Sequence, residues 1–274
     1  MNVPTYKGKP PKCVGGKYYL YEKIGEGAWA KVRRCMEFDA DCGKLCEYAC
    51  KIYYQCVVNR KLKGGIERLR NEFRLVNSAL KHPNVLEYKE MLMDDDKVYV
   101  IMELCPQGSV ESLCELSINQ VKKIMIDLLA ALDYIHSKNV SHHDVKPGNL
   151  LLSKDGDIKL ADFGVAEVMQ SDGKSVSPFG TPAYQAPEVL NVRRDTDWYD
   201  GRKSDIWSAG ILLYQLCYQR LPWKHETVYM VMKEICEVES IELAPCPYGE
   251  DCLDLLTKML CKDPVKRPFA KEAL

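Results

Sequence analysis

The hydrophobic pattern changes its period at about residue 105. Before that point, apolar and aromatic side chains cluster in short runs over residues 18–24, 30–38 and 46–55, with Gly- or Asp-containing turns between them, which predicts strands. A turn over 39–44 joins the second and third runs into a hairpin. Residues 65–79 carry helical spacing, and Val98-Tyr99-Val100-Ile101-Met102 reads as a further buried strand. After Cys105-Pro106-Gln107-Gly108 the pattern is mostly helical. Ser117 and Gln120 form a capping box ahead of Val121, Ile124, Met125, Leu128, Leu129, Leu132 and Ile135, which recur at the period of one helix face. Leu150-Leu151-Leu152 and Ile158-Lys159-Leu160, on either side of Asp155-Gly156, predict a short hairpin. Periodicities over 206–217 and 251–260 predict two more helices. There is no internal repeat and no low-complexity tract.

Composition narrows the class. With 274 residues, 46% apolar and 28% charged, the chain can bury a core as one large domain or two small ones. A net charge of −1 argues against a general nucleic-acid or membrane binder, because both need a field from clustered Lys and Arg. No run approaches eighteen apolar residues, and the first twenty residues lack the apolar core of a secretory signal, so a cytoplasmic or nuclear location is expected. Residues 1–16, rich in Pro, Gly and Lys, read as a flexible tail. The thirteen cysteines, among them Cys42, Cys46, Cys50, Cys246, Cys252 and Cys261, include no Cys-x-x-Cys pair. They read as free thiols, since neither a disulfide framework nor the ligand spacing of a closed zinc site is visible.

The chemistry-bearing residues concentrate in Ser141-His142-His143-Asp144-Val145-Lys146-Pro147-Gly148-Asn149, followed eighteen residues after Asp144 by Asp162-Phe163-Gly164. This constellation resembles the catalytic core of a protein kinase. In that reading Asp144 takes the proton of an attacking hydroxyl and Lys146 neutralises charge on the transferring γ-phosphoryl group. Asn149 and Asp162 offer hard oxygen ligands to Mg²⁺ bridging the phosphates of ATP. Gly25-Glu26-Gly27-Ala28-Trp29-Ala30-Lys31-Val32 resembles the family's glycine-rich loop, with Ala30 where a third glycine is usual. Gly25 and Gly27 remove Cβ atoms where backbone N–H groups approach phosphates, and Trp29 falls at the tip. Ala49-Cys50-Lys51 resembles the strand whose lysine holds the α and β phosphates. Lys51 needs a helix glutamate to orient it; Glu72 fits that role although it lies one residue further from Pro83 than expected, and Glu67 is the rival.

The resemblance extends over residues 17–274 and implies an α+β, bilobal kinase fold: a small β-rich lobe over 17–102, a hinge over 103–106 and a larger helical lobe over 107–274. It implies that Ile24, Gly25, Gly27, Val32, Ala49, Lys51, Met102, Glu103, Cys105 and Leu151 surround the nucleotide, with Met102 as gatekeeper and the Glu103 and Cys105 backbone facing adenine. Lys146-Pro147-Gly148-Asn149 and Thr181 have the serine/threonine-kinase form. Thr181 is expected to hydrogen-bond Asp144 and Lys146, Glu188 to pair with Arg267, Asp205 to brace the catalytic-loop backbone and His142 to lie against Phe163.

Within the family, Gly164-Val165-Ala166-Glu167, Pro182-Ala183-Tyr184-Gln185 and the Asp205 stretch look most similar to the liver kinase B group, with calcium/calmodulin-dependent protein kinase kinases next. That implies an upstream activator of AMP-activated-kinase-like enzymes, acting on protein substrates and controlled by a pseudokinase partner and a helical-repeat scaffold. His143 stands where phosphorylation-switched kinases carry an arginine. A neutral imidazole is a poor phosphate clamp, so phosphorylation of Ser175 or Ser177 is expected to be dispensable; a protonated His143 acting as a clamp at lower pH is the alternative. Residues 191–198 form a longer connection than usual, a candidate partner or substrate surface. The sequence ends within a helical stretch, which leads to the expectation that more chain follows. The competing reading is a pseudokinase scaffold that binds ATP or a partner without turnover.

Overall fold

The computed structural model describes residues 10–27, 29–39, 44–62, 64–170, 172–192 and 197–274. The described chain forms two compact units: one contains the residues through Lys81 together with Leu86–Pro106, the other His82–Val85 and Gln107–Leu274.

The first unit is built on a six-stranded antiparallel sheet. Its strands are β1 (Lys12–Val14), β2 (Tyr18–Glu26), β3 (Ala30–Asp39), β4 (Lys44–Tyr54), β5 (Tyr88–Met93) and β6 (Lys97–Glu103), in the order β1-β2-β3-β4-β6-β5. One face buries Val14, Tyr18, Leu20, Cys35, Cys50, Ile52, Tyr99 and Ile101 in a common cluster. The side-chain period of two dictates this, because alternate residues of each strand share a face. The 65–79 periodicity is the helix α2 (Gly65–Ala79), which turns Leu69, Glu72 and Val76 inward.

Two expectations change here. The flexible tail does not reach residue 16, because Lys12–Val14 pairs with Tyr18–Leu20 and buries Val14; residues 1–9 lie outside the described residues. The strand expected to run to Gln55 ends at Tyr54, and Gln55–Lys61 is a helix, α1. The strand gives way to the helix where the Gln55 amide bonds the Asp96 carbonyl. The core of the 39–44 turn, residues 40–43, lies outside the described residues.

The second unit is mostly helical. Its long helix α3 (Ile118–Ser137) begins at the Ser117–Gln120 capping box and buries all seven stripe residues, each worth roughly 1.5–3 kcal/mol when fully removed from water. Short strands follow: β7 (Val140–Ser141), β8 (Leu150–Leu152), β9 (Ile158–Leu160), β10 (Glu167–Val168) and β11 (Lys174–Ser175). Beyond them come α4 (Pro187–Leu190), β12 (Tyr199–Asp200), α5 (Gly201–Tyr218), α6 (Val228–Glu237), α7 (Glu250–Met259) and α8 (Ala270–Ala273). Pairing of β8 with β9 makes the expected hairpin, while β10 pairs with β7 and β11 with β12. Helix α5 is buried on nearly every side and forms the spine of this unit. The Arg267 side chain lies fully buried beside it, bidentate to Glu188 at 2.5 and 2.8 Å, and its guanidinium sits 4.9 Å from the Trp207 ring centroid. Of the 191–198 connection, residues 193–196 lie outside the described residues.

Candidate active site

The segment between β7 and β8 is held from below by one buried carboxylate. Asp205, in the first turns of α5, accepts the backbone N–H groups of His142 and His143 at 2.8 Å each, and its Oδ2 meets His136 Nε2 at 2.9 Å. Burial works against its ionisation, but His136 and the neighbouring imidazoles outweigh it and hold the carboxyl below its usual range. His142 is locked in one neutral tautomer: Nδ1 accepts the Asp144 amide at 3.2 Å, and Nε2 donates to the Ala161 carbonyl at 3.0 Å. Burial lowers its pKa, and its ring meets Phe163 edge-on at 4.9 Å.

Asp144 emerges from this support with both carboxylate oxygens engaged. Oδ1 accepts the Thr181 amide at 2.9 Å and the Thr181 hydroxyl at 2.6 Å; Oδ2 accepts Asn149 Nδ2 at 2.9 Å and lies 2.8 Å from Lys146 Nζ. Lys146 also donates to Thr181 Oγ1 at 2.7 Å, so Thr181 bridges base and cation as expected. Burial raises the Asp144 pKa, yet Lys146 and Thr181 prevail and the carboxyl stays below the usual carboxylate range. It is therefore an anion at neutral pH, suited to orient a hydroxyl and draw off its proton.

The Asn149 amide nitrogen is committed to the Asp144 carbonyl and carboxylate, which leaves the amide oxygen as its ligand atom. The Ala161 amide bonds the Asn149 carbonyl at 2.9 Å, bringing the backbone leading into Asp162 alongside Asn149. Asp162 itself is in the left-handed region, with φ +65°. Two hard side-chain oxygens fit Mg²⁺ and not a soft metal.

Thr181 reaches Asp144 because the chain at Gly180 runs against the loop. Gly180 has φ +124°, and a Cβ there would collide with the His143 carbonyl oxygen. The following residues are also anchored: Trp223 Nε1 donates to the Ala183 carbonyl at 2.8 Å, and Ser208 Oγ to the Tyr184 carbonyl at 2.8 Å.

In the first unit, Gly25 pairs with Val32 across the β2–β3 hairpin, and the Gly27 amide bonds the Ala30 carbonyl at 2.8 Å. Ile24 and Trp29 are exposed, and Ala28 lies outside the described residues. Ala30 is a buried strand residue opposite Tyr53, a place where a methyl side chain fits. Lys51 lies in β4 opposite Val32 and Val100, with Nζ 5.5 Å from the Tyr53 ring centroid. Of the two helix glutamates, Glu72 faces inward and accepts the Tyr88 hydroxyl at 2.7 Å, whereas Glu67 is exposed and pairs with Arg70 and Arg74. Ala49 and Met102 are buried opposite each other, and the Glu103 amide is committed to the Glu87 carbonyl. Cys105 is partly buried, and Leu151, in the second unit, lies on β8 opposite Lys159 and bridges to Ser109.

The sequence reading missed the surroundings of His143. Its Nε2 lies 2.6 Å from Ser141 Oγ, 3.2 Å from Ser175 Oγ and 3.5 Å from Glu167 Oε2, and Nδ1 is 3.3 Å from the Tyr199 hydroxyl. Ser175 also donates to Glu167, and Tyr199 to the Ser177 carbonyl at 2.5 Å. These residues come from β7, β10, β11 and β12, so no local spacing announces them.

A family model described as protein kinase domain matches residues 18–274. The chain is 36% identical over 99% of its length to serine/threonine-protein kinase par-4 of Caenorhabditis elegans, covering 44% of that protein. It is 34% identical to CBL-interacting serine/threonine-protein kinase 5 of Arabidopsis thaliana, over 92% of this chain and 55% of that one, and 33% identical to serine/threonine-protein kinase stk11 of Xenopus laevis, over 92% and 58%. STK11 is liver kinase B and par-4 its orthologue, which agrees with the subgroup resemblance. The chain spans about half the length of the curated relatives it matches. With this match behind the loop geometry, the chain belongs to the protein kinase domain family, and its relatives are serine/threonine kinases.

Proposed function

We propose that the chain transfers the γ-phosphoryl group of Mg-ATP to Ser or Thr hydroxyls of protein substrates. The observation that carries this reading is the closed set of contacts among Asp144, Lys146, Thr181 and Asn149. An ionised carboxylate with a threonine hydroxyl on one oxygen and a lysine on the other can align an incoming hydroxyl and receive its proton, while Lys146 is placed to offset charge on the transferring group. The side-chain oxygens of Asn149 and Asp162 would hold Mg²⁺, which when bound offsets phosphate charge. Lys51, oriented by Glu72, would bind the α and β phosphates. ATP turnover on a serine- and threonine-containing peptide panel tests the reading, with Asp162→Asn as control. Turnover by the wild type alone is expected; turnover undiminished in Asp162→Asn would sink it.

The likeness to liver kinase B proteins supports a finer reading, in which the substrate is the activation-loop threonine of an AMP-activated-kinase-like enzyme. Control would fall to a pseudokinase and a helical-repeat scaffold, in the cytoplasm or nucleus. The surroundings of His143 favour partner control over phosphate switching, because a phosphate on Ser175 would be forced against the Glu167 carboxylate. Phosphorylation of a recombinant AMP-activated-kinase-like substrate, with and without such partners, tests this part separately.

A further inference from the structure

Far from the catalytic loop in sequence, three cysteine sulfurs converge at the end of α5. Cys217 lies in the last turn of that helix, Cys252 in the first turn of α7, and Cys246 in the irregular link over 238–249 that joins α6 to α7. The Cys217 and Cys252 sulfurs are 3.6 Å apart, those of Cys217 and Cys246 3.8 Å, and all three lie within 4.8 Å of one another. A tetrahedral zinc ion with Zn–S bonds of about 2.3 Å places its sulfurs about 3.8 Å apart. The geometry points to a three-thiolate site for a soft divalent cation, zinc above all, with water in the fourth position.

The surroundings suit that charge. Cys252 is favoured as a thiolate by its place at a helix N-terminus. Hydrogen bonding from Cys217, against burial, brings its pKa down to about 6, with Cys246 and the Lys122 ammonium acting in the same direction. Burial pushes the Cys246 thiol up, and a hydrogen bond from the Tyr248 amide opposes it. The Cys217 thiol is pushed up by its hydrogen bond to Cys252 and by burial. Binding of Zn²⁺ as a three-thiolate complex displaces the thiol protons that remain and leaves the three-sulfur unit with one negative charge. The ion would clamp the 238–249 link, otherwise fixed by the Tyr218 hydroxyl on the Ala244 carbonyl and the Tyr248 hydroxyl on the Leu116 carbonyl, to the ends of α5 and α7. Spacing hid the site, since its ligands are separated by 29 and 6 residues and form no Cys-x-x-Cys pair.

The test is metal analysis of the whole chain purified under reductant, followed by cobalt titration of chelator-stripped protein. About one zinc per chain is expected, together with the thiolate-to-cobalt charge-transfer band and the intense d–d bands of tetrahedral Co²⁺. Cys252→Ser and Cys246→Ser, at partly exposed positions, should lose the band and the zinc-induced rise in Tm while keeping wild-type circular dichroism; Cys261→Ser should keep all three. A metal-free protein with no tetrahedral cobalt spectrum would overturn the assignment. So would a spectrum unchanged in both cluster variants, or a Cys217–Cys252 disulfide in protein that takes up no metal after reduction.

Discussion

His143 Nε2 stands 3.5 Å from Glu167 Oε2, with the Ser175 hydroxyl touching both. In phosphate-switched kinases this loop position carries an arginine that captures a phosphorylated residue. Here a carboxylate from the chain itself already lies against the imidazole, and Ser175 is buried between them.

A carboxylate in that place predicts that phosphorylation is dispensable. Ser175→Ala/Ser177→Ala should keep peptide-kinase activity within about twofold, and phosphatase treatment should leave it unchanged. Glu167→Gln removes a charge-assisted contact worth on the order of 1 kcal/mol, so kcat/KM should fall by roughly three- to tenfold. A large phosphatase-sensitive fraction, lost in the serine variant, would contradict both expectations.

The same carboxylate sets an acid limit on stability. Burial raises the Glu167 pKa, but hydrogen bonds from His143, Ser175 and Ser177 bring it down to about 2, from an ordinary value of 4.5. A depressed folded pKa means that its contribution is present above pH 4.5 and is lost as the pH falls toward 2. The contribution is at most about 3 kcal/mol, reduced by solvent screening because the side chain is 24% exposed. Between about pH 5 and 3 the wild type should therefore lose more stability than Glu167→Gln in parallel denaturation curves.

Asp144→Asn removes the anion that receives the proton but retains an oxygen for Thr181. A fall in kcat of roughly 10²- to 10⁴-fold is expected, with little change in denaturation midpoint. A variant that turns over peptide at wild-type rate would remove Asp144 from the mechanism.

The Arg267–Glu188 pair predicts a stability effect away from the chemistry. Arg267→Met leaves Glu188 without its bidentate partner, and breaking a buried pair costs about 3–5 kcal/mol. Urea denaturation should show the midpoint falling accordingly. The double variant Arg267→Met/Glu188→Leu should recover part of the loss, because no uncompensated charge is left behind.

Local order was legible because local interactions write it. The period of α3 and its Ser117–Gln120 cap, the extent of α2 and the β8–β9 hairpin all follow from residues a few positions apart. Asp144, Lys146 and Asn149 could be picked out for the same reason, since one short loop carries all three. Signals of equal strength misled where a nonlocal contact prevailed. Lys12–Val14, in a Pro- and Gly-rich stretch, became a strand because β2 offered it a partner, and the run expected to reach Gln55 stopped at Tyr54, where a helix begins. Tertiary structure alone decided that Glu72 and not Glu67 faces inward, because that depends on Tyr88 from another strand. It alone brought Glu167 to His143 across 24 residues, and Cys217 to Cys252 across 35. Periodicity records what neighbours along the chain do to one another; which distant groups meet is settled only when burial closes the loops between them.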